Sequence, residues 1–286
     1  MKKASSPAIL LDAQGLPVGF LQTIAEPKTV RVALAERILT ITLNRPDKLN
    51  AFDEQMIREM RSIIWKANFD QGVGVIVITG AGRAFCAGRD IDGLDYENNL
   101  LTSQYRAYVR ANHELFDEIE AIEKPVIAAV NGVCAGGGVE LAVACDFRMA
   151  AEGAQFLLPE NQLGVIPASG ACSRMTQLIG IGRLKEMVLA ALPVEAGEAR
   201  RIGLVNRVFP ASELLAGTRE FARHLLSKAP QAMGMAKHII NTCQNVDAET
   251  GRILERLGQS VLIRTEDNKE GMTSFREKRK PKFKGK

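Results

Sequence analysis

The stretch Asn131-Gly-Val-Cys-Ala-Gly136-Gly137-Gly138-Val-Glu140 links a run of apolar residues, Val126 to Val130, to the segment Leu141-Ala-Val-Ala-Cys145. The apolar run predicts a buried strand, and the segment after the glycines predicts an amphipathic helix. Consecutive glycines carry no Cβ, so the backbone of this turn can approach a ligand within hydrogen-bonding distance. The first N–H groups of a helix lack partners within it and lie at its positive end. The stretch therefore predicts a donor site for a negatively charged oxygen, with the Glu140 carboxylate nearby.

Two other segments help to decide between this interpretation and a glycine turn that serves packing alone, which short glycine patterns leave open. The loop Leu158-Pro159-Glu160-Asn161-Gln162-Leu163-Gly164-Val165-Ile166-Pro167 places a second carboxylate, Glu160, among mostly apolar residues. The segment Ala84-Phe85-Cys86-Ala87-Gly88-Arg89-Asp90-Ile91 ends another apolar strand in a turn of small residues. The chain thus combines two small-residue turns with two carboxylates.

These segments resemble the crotonase superfamily, the enoyl-CoA hydratases and isomerases. Three more stretches match it: Leu43 to Phe52, Gly203 to Asn206, and Glu270 to Arg279. The resemblance covers roughly residues 30 to 284, in order and with the family's spacing. It implies an α/β fold of the crotonase type, a spiral of ββα units followed by a helical oligomerisation region. The corresponding divisions are an N-terminal extension (1–29), a catalytic core (30–205) and a helical C-terminal region (206–286).

The hydrophobic pattern by itself predicts several elements of an α/β protein. Two strand-like runs, 30–34 and 38–43, flank a predicted hairpin turn. Asp53 precedes a helix with an apolar period of 3.6 residues, residues 73–79 form a strand apolar on both faces, and a second helix spans 103–122. The helices predicted after Pro167 are 170–179, 183–191, 195–202, 212–227, 230–243, 247–262 and 265–278.

The composition is that of an ordinary soluble globular protein, with 46% hydrophobic and 24% charged residues among 286. A formal net charge of +4 is too small to indicate a nucleic-acid partner. The basic excess lies in the last nine residues, where we expect a solvated, partly frayed tail. Its members are Lys278, Arg279, Lys280, Lys282, Lys284 and Lys286. Because only Phe283 lies among these lysines, an RNA-binding protein, the non-enzyme alternative, fits them less well.

The cysteines and histidines indicate neither disulfides nor a metal site. The five cysteines lack pair spacing, no CxxC occurs, and the three histidines are isolated. An odd number of cysteines without a secretory signal points to a reducing cytoplasm. No run approaches the ~18 apolar residues of a membrane-spanning helix. We expect a cytoplasmic protein without a metal, a redox cofactor or a membrane partner; coenzyme A would be part of the substrate.

The resemblance implies a reaction that passes through an enolate on a thioester carbonyl. The backbone N–H groups of Arg89 and Gly137 match the family's two oxyanion donors, and such donors act where charge develops. Glu140 and Glu160 match the two glutamates of the hydratases, which hold a water molecule between them. Glu140 would help to deprotonate that water for attack at C3, and Glu160 would deliver the proton to C2. A structural role, as a helix-dipole or salt-bridge partner, is the alternative for each carboxylate.

The resemblance also implies where coenzyme A binds. Lys48 and the Ala87-Gly88 turn match positions at the CoA site. Phe275 and Lys278 match positions that often contact CoA bound to a neighbouring subunit. A lysine suits this place because its ammonium is a point-charge partner for phosphate.

Three departures from the hydratase pattern bear on the substrate. The hydratases usually have alanine at the position of Arg89, whose guanidinium is expected either to reach a CoA phosphate or to point to solvent. After Glu160, Ala168 replaces a glycine whose N–H is expected to touch the catalytic water, and Ser169 adds a hydroxyl. The segment 91–124 is longer than in simple hydratases and carries three tyrosines: Tyr96, Tyr105 and Tyr108. The changed loop favours a modified substrate or a slower hydratase over plain crotonyl specificity. In the family the segment 91–124 lines the acyl pocket, so the resemblance implies a cyclic or polar acyl group.

The sequence thus predicts an enoyl-CoA hydratase-like hydro-lyase that adds water reversibly to a 2-enoyl-CoA. The expected partners are the acyl-CoA and further copies of the chain, as a trimer or a hexamer, since the family buries apolar C-terminal surface between subunits. A double-bond isomerase or a CoA-ester hydrolase is the alternative on the same fold, because a fold does not determine a reaction. Two retained glutamates favour the hydratase.

Overall fold

The structure is a computed structural model that describes residues 27–91 and 99–286. Its strands are β1 (Val30–Ala35), β2 (Ile38–Leu43), β3 (Val75–Gly80), β4 (Ala84–Cys86), β5 (Val126–Val130), β6 (Val133–Ala135), β7 (Phe147–Ala151), β8 (Gln155–Leu157), β9 (Val194–Glu195) and β10 (Arg207–Phe209). A six-stranded sheet has the order β1-β2-β3-β5-β7-β10 and is parallel except for the β1–β2 hairpin. A smaller sheet has the order β4-β6-β8-β9.

The helices cover both faces of the larger sheet. They are α1 (Glu54–Phe69), α2 (Thr102–Ala121), α3 (Gly137–Ala144), α4 (Ala171–Ile179), α5 (Ile181–Leu189), α6 (Ala196–Arg201), α7 (Leu214–Leu226), α8 (Pro230–Cys243), α9 (Ala248–Leu262) and α10 (Glu266–Arg276). α7 packs on one face of the sheet, while α1, α2 and α3 share the main hydrophobic core on the other face. Because both faces are covered, β5 is buried along its whole length, as its continuous apolar run predicts.

Several sequence-based predictions of local structure are confirmed. The hairpin turn consists of Glu36 and Arg37, both in the left-handed region (φ 52° and 63°), as tight two-residue turns require. Asp53 caps α1 by accepting a hydrogen bond from the Met56 N–H at 2.7 Å. The seven helices predicted after Pro167 correspond to α4 through α10, each within a few residues.

The predicted amphipathic character of the helix after the glycine turn is wrong. Residues 138–144 of α3 are all buried. The helix is surrounded by α2, α4 and strands β4, β6 and β7, so it has no solvent face to carry polar residues. Glu140, in its first turn, is therefore a carboxylate inside the protein.

The prediction of a frayed basic tail is also wrong, because its backbone is held along α10. Asp267 accepts hydrogen bonds from the Lys284 and Gly285 N–H groups at 2.6 and 2.8 Å, and Glu270 accepts one from the Lys282 N–H at 2.7 Å. These carboxylates take the place of water as acceptors for the tail. The side chains of its lysines remain exposed.

The predicted division of the chain at residue 205 stays a prediction. β10, which lies beyond it, pairs with β7 in the larger sheet, and α7 packs on the same sheet. Residues 1–26 of the predicted extension lie outside the described residues. In the part of the chain that the structure describes, no helix combines the length and apolar character needed to cross a bilayer.

Candidate active site

The two small-residue turns of the sequence meet in the structure. Gly88 has φ +96°, and a Cβ at this position would lie 2.9 Å from the Ala135 carbonyl oxygen and 3.1 Å from the Gly137 nitrogen. The position therefore requires glycine, both for its conformation and for the close approach of the two backbones. The backbone that follows β4 and the backbone that begins α3 form one wall of the site.

Phe52 holds the first turn in place through its backbone. The Phe52 N–H donates to the Gly88 carbonyl at 2.7 Å, and the Asp90 N–H donates to the Phe52 carbonyl at 2.7 Å. Because Phe52 bonds to the residues on both sides of Arg89, the N–H of Arg89 points away from Phe52. This orientation leaves the Arg89 amide directed to the opposite side of the segment.

Gly137 is the first residue of α3, so its N–H has no acceptor within the helix. Gly136, which precedes it, has φ +50° and accepts hydrogen bonds from the Val139 and Glu140 N–H groups. The Gly136 N–H donates to the Leu157 carbonyl at 2.9 Å, which attaches the turn to β8. The glycine turn thus presents the N-terminal end of a buried helix.

Glu140 lies in the first turn of α3 and is only 4% exposed. Its Oε1 accepts hydrogen bonds from the Ser169 N–H at 2.5 Å and from the Ala171 N–H, at the start of α4, at 3.4 Å. Burial raises the pKa of Glu140, whereas the Ser169 and Ala171 donors and the charge of Arg174 oppose that rise. The carboxylate is thus oriented by the loop that follows Glu160.

Glu160 begins a 3₁₀ turn, Glu160–Leu163, and faces the glycine turn from its other side. A Cβ at Gly136 would lie 3.2 Å from Glu160 Oε1. Among the described residues, the buried Oε2 of Glu160 has no hydrogen-bond partner. Burial, with a contribution from the charge of Glu140, raises the pKa of Glu160 to about 7. Near neutral pH this carboxyl group can therefore exchange a proton.

The side chain of Arg89 contacts helix α2 instead of pointing to solvent, and its reach to a CoA phosphate stays a prediction. Its guanidinium carbon lies 5.0 Å from the ring centroid of Tyr108 on α2, and Nη2 donates to the Tyr108 hydroxyl. This contact pairs the arginine with an aromatic ring within the chain. Of the other two tyrosines, Tyr105 is 40% exposed on α2, and Tyr96 lies outside the described residues.

The predicted CoA residues fall into two groups. Lys48 precedes Leu49, whose carbonyl accepts a hydrogen bond from the Ala87 N–H at 3.0 Å, so Lys48 lies beside the Ala87-Gly88 turn. Ala168 is exposed next to Ser169, on the loop that contacts Glu140. Phe275, 83% exposed, and Lys278 lie at the end of α10. That these two reach a CoA site stays a prediction.

The sequence analysis missed two supporting residues. Arg174, on α4, pairs with Asp117 and Glu120 of α2 and donates to the Ser169 carbonyl. Tyr108 enters the prediction only as part of an acyl pocket, not as the partner of Arg89. In the described ranges, 27–91 and 99–286, no three His, Cys, Asp or Glu side chains cluster as metal ligands. That the reaction needs no metal or redox cofactor stays a prediction.

Comparisons with known proteins identify the family of the chain. The sequence profile of the enoyl-CoA hydratase/isomerase family matches residues 34–286. The chain is 39% identical over 245 residues to short-chain-enoyl-CoA hydratase of Clostridium acetobutylicum, covering 85% of this chain and 93% of that protein. It is 39% identical over 249 residues to crotonyl-CoA hydratase of Syntrophomonas wolfei, covering 87% and 95%.

A solved structure gives the same result for the fold. Enoyl-CoA hydratase from Bacillus anthracis matches with a TM-score of 0.85 and 36% identity, over 91% of this chain and 100% of that one. The chain therefore belongs to the enoyl-CoA hydratase/isomerase family, and its fold is the crotonase fold.

Proposed function

We propose that this protein is an enoyl-CoA hydratase that adds water reversibly across the C2–C3 double bond of a 2-enoyl-CoA. The observation that carries the proposal is the pair of carboxylates at the glycine turn. Glu140 is bound by two backbone N–H groups, and Glu160 has a raised pKa of about 7 and an Oε2 without a hydrogen-bond partner in the part of the chain that the structure describes. Two acids in different environments can divide the tasks of base and acid. The similarity to hydratases supports the same reaction.

In the proposed reaction, the thioester oxygen accepts hydrogen bonds from the N–H groups of Arg89 and Gly137. These donors stabilise the negative charge that the oxygen gains as the enolate forms. Glu140 orients the water and takes one of its protons while the water oxygen bonds to C3. Glu160 gives its proton to C2, so H and OH add to the same face of the double bond.

The rest of the substrate would lie along the first turn. We propose that Lys48 and the Ala87-Gly88 turn bind coenzyme A, and that the loop with Ala168 lines the acyl group. The Ala87-Gly88 turn packs closely against the start of α3, so the two backbones together offer a surface on which the thioester could lie. We propose that the acyl group is cyclic or polar, because the segment 91–124 is longer than in simple hydratases and carries three tyrosines.

Assembly and location complete the proposal. Ile253, Leu257 and Val261 lie four residues apart on α9 and are 42%, 59% and 57% exposed, so they form an apolar stripe on the single chain. We propose that such surface is buried in a trimer or a hexamer, which would bring Phe275 and Lys278 to a neighbouring CoA site. The free cysteines suit the reducing cytoplasm that we propose as its location.

A panel of CoA esters tests the reaction. The purified protein is incubated with straight-chain, cyclic and polar 2-enoyl-CoA esters, and the enoyl-thioester absorbance is followed. Hydration removes this absorbance and yields a 3-hydroxyacyl-CoA, identified by mass spectrometry as the addition of one water. Release of free CoA thiol without hydration would instead establish a hydrolase. Interconversion of 2-enoyl and 3-enoyl esters alone would establish an isomerase.

A further inference from the structure

Arg174 joins helix α2 to the loop that holds Glu140. Its side chain is 15% exposed. Nε and Nη2 donate to Glu120 Oε2 at 2.9 and 2.7 Å, and Nη2 also donates to Asp117 Oδ1 at 2.8 Å. Nη1 donates to the Ser169 carbonyl at 3.2 Å. The planar guanidinium thus binds two carboxylates of α2 and one backbone carbonyl at the same time.

Ser169 transmits this contact to the carboxylate. Its carbonyl accepts from Arg174, and its N–H donates to Glu140 Oε1 at 2.5 Å. Gly170 follows with φ +110°, and a Cβ there would lie 1.8 Å from Arg174 Nη1. The guanidinium therefore lies directly against the backbone that bends into α4, whose first N–H, from Ala171, also donates to Glu140.

We propose that Arg174 is a positioning residue for hydration: it attaches the Ser169–Ala171 backbone to α2 and thereby holds the Glu140 carboxylate in its catalytic orientation. This inference rests on the proposed function. Arg174 would act without touching the substrate, through the peptide of Ser169. A loop that contains glycine has little stiffness of its own, so an anchor on a long helix supplies the rigidity that catalytic geometry needs.

The charge of Arg174 gives this role a signature beyond stability. Among the residues that the structure describes, the titratable groups around Glu140 are Glu160 on the 3₁₀ turn and Cys172 and Arg174 on α4, with His113, Asp117 and Glu120 of α2 behind Arg174. Arg174 is the cation among them and lowers the pKa of Glu140 against the effect of burial. Without its charge, Glu140 would ionise at higher pH, so the acid limb of the kcat profile would move upward.

Substitutions of Arg174 test the proposal. Arg174→Met should lower kcat about 10- to 100-fold, as expected for a loss of orientation. KM for the best 2-enoyl-CoA should change less than about threefold, because substrate contacts remain. Arg174→Lys keeps the positive charge but not the planar set of N–H donors. It should therefore restore the acid limb of the pH profile but only part of kcat. Arg183→Met is the control, since Arg183 pairs with Glu186 and Glu198 on the exposed surface.

Substitutions on α2 keep the inference testable if Arg174→Met does not fold. Glu120→Gln and Asp117→Asn, alone and combined, leave Arg174 in the chain but weaken its anchors. We expect kcat to fall while KM stays the same, with thermal unfolding recorded for each variant. Wild-type kcat and pH profile in folded Arg174→Met or in the double variant, or an effect on KM alone, would overturn the inference. A wild-type protein that hydrates no 2-enoyl-CoA would instead contradict the proposed function.

Discussion

Arg89 and Tyr108 are joined by both a hydrogen bond and a cation–π contact, with the guanidinium carbon 5.0 Å from the ring centroid. Tyr108 lies on α2, the same helix that anchors Arg174 through Asp117 and Glu120. One helix therefore contacts both sides of the candidate site: the segment that carries Arg89, the proposed first oxyanion donor, and the loop that binds Glu140. Changes in α2 should therefore alter catalysis, although neither Glu140 nor Glu160 lies on this helix.

The Arg89–Tyr108 contact leads to the first prediction. Tyr108→Ala should lower kcat about two- to fivefold, the equivalent of the roughly 0.5–1 kcal/mol of a partly exposed cation–π contact. Tyr108→Phe keeps the ring and should have a smaller effect. Tyr105→Ala, a tyrosine of the same helix, serves as the control. Equal effects of the Tyr105 and Tyr108 variants on steady-state hydration would argue against a specific contact.

Substitution of either glutamate should affect turnover without affecting the binding of the acyl-CoA. Glu140→Gln and Glu160→Gln should each lower kcat by about 10²- to 10⁴-fold, the usual contribution of a positioned acid or base. The dissociation constant of an unreactive acyl-CoA, measured by calorimetry, should stay nearly unchanged because the amide keeps the size of the side chain. Near wild-type turnover in either variant would remove that residue from the mechanism.

The raised pKa of Glu160 predicts the same pH dependence in the two directions of the reaction. Hydration releases no net proton, so its equilibrium constant does not change with pH and kcat/KM must follow the same profile in both directions. Both directions require one proton on the pair of glutamates: hydration starts with this proton on Glu160, and dehydration starts with it on Glu140. Therefore kcat/KM should fall in both directions as the pH rises above about 7. Assays in both directions across this range provide the measurement, and profiles that stay flat through pH 7 would disprove the assignment of Glu160.

The same pKa shift predicts a stability effect of Glu160→Gln. The pKa rises from 4.5 to about 7 on folding, so the folded state binds more protons than the unfolded state between these pH values. Wild-type stability should therefore decline relative to the glutamine variant as the pH rises through this window. In thermal unfolding, the Tm of Glu160→Gln minus the Tm of the wild type should be larger at pH 8 than at pH 4.5. A pH-independent difference would contradict the raised pKa.

Gly137 offers a pair of variants that differ in one N–H group. Gly137→Pro removes the N–H at the first position of a helix, where proline is tolerated, and should abolish most hydration. Gly137→Ala keeps the N–H, and its Cβ would lie 3.5 Å from the Phe52 ring, an ordinary contact, so it should remain active. Circular dichroism must show both variants folded. An active, folded Gly137→Pro protein would rule out this oxyanion donor.

The C-terminal region provides a prediction about assembly. Lys278→Ala should raise KM for acyl-CoA more at low salt than at high salt, with little change in kcat, because salt screens a lysine–phosphate pair. Sedimentation velocity should show a trimer or a hexamer for this variant as for the wild type. A stable, fully active monomer would contradict both the assembly and the contribution of Lys278 to a neighbouring site.

The accuracy of the sequence-based predictions depended on how local each signal is. α8 begins at Pro230 and ends at Cys243 as predicted, because a proline and a helical apolar period mark it along the chain. β9, in contrast, overlaps the start of a predicted helix. Its pairing of Glu195 with Gln155 connects residues distant in sequence, and its two residues are too few to show a strand pattern.

The same distinction applies to the site. Glu140 and Glu160 stand in motifs with glycine turns nearby, so the sequence predicts that they belong to a site. Arg89 and Tyr108 are 19 residues apart, and Arg174 and Asp117 are 57 apart, on elements whose packing no local pattern specifies. Their contacts depend on where α2 lies over the core, which only the fold determines.

The two carboxylates rest on backbones of different rigidity. Glu140 is carried by a helix buried on every side, whereas Glu160 begins a short turn that continues into exposed Leu163, Val165 and Ile166. In hydrogen–deuterium exchange, the α3 amides should exchange only through global unfolding, while amides of residues 160–166 should exchange through local fluctuations. Accommodation of different acyl groups would then take place by movement on the Glu160 side, against a stationary base.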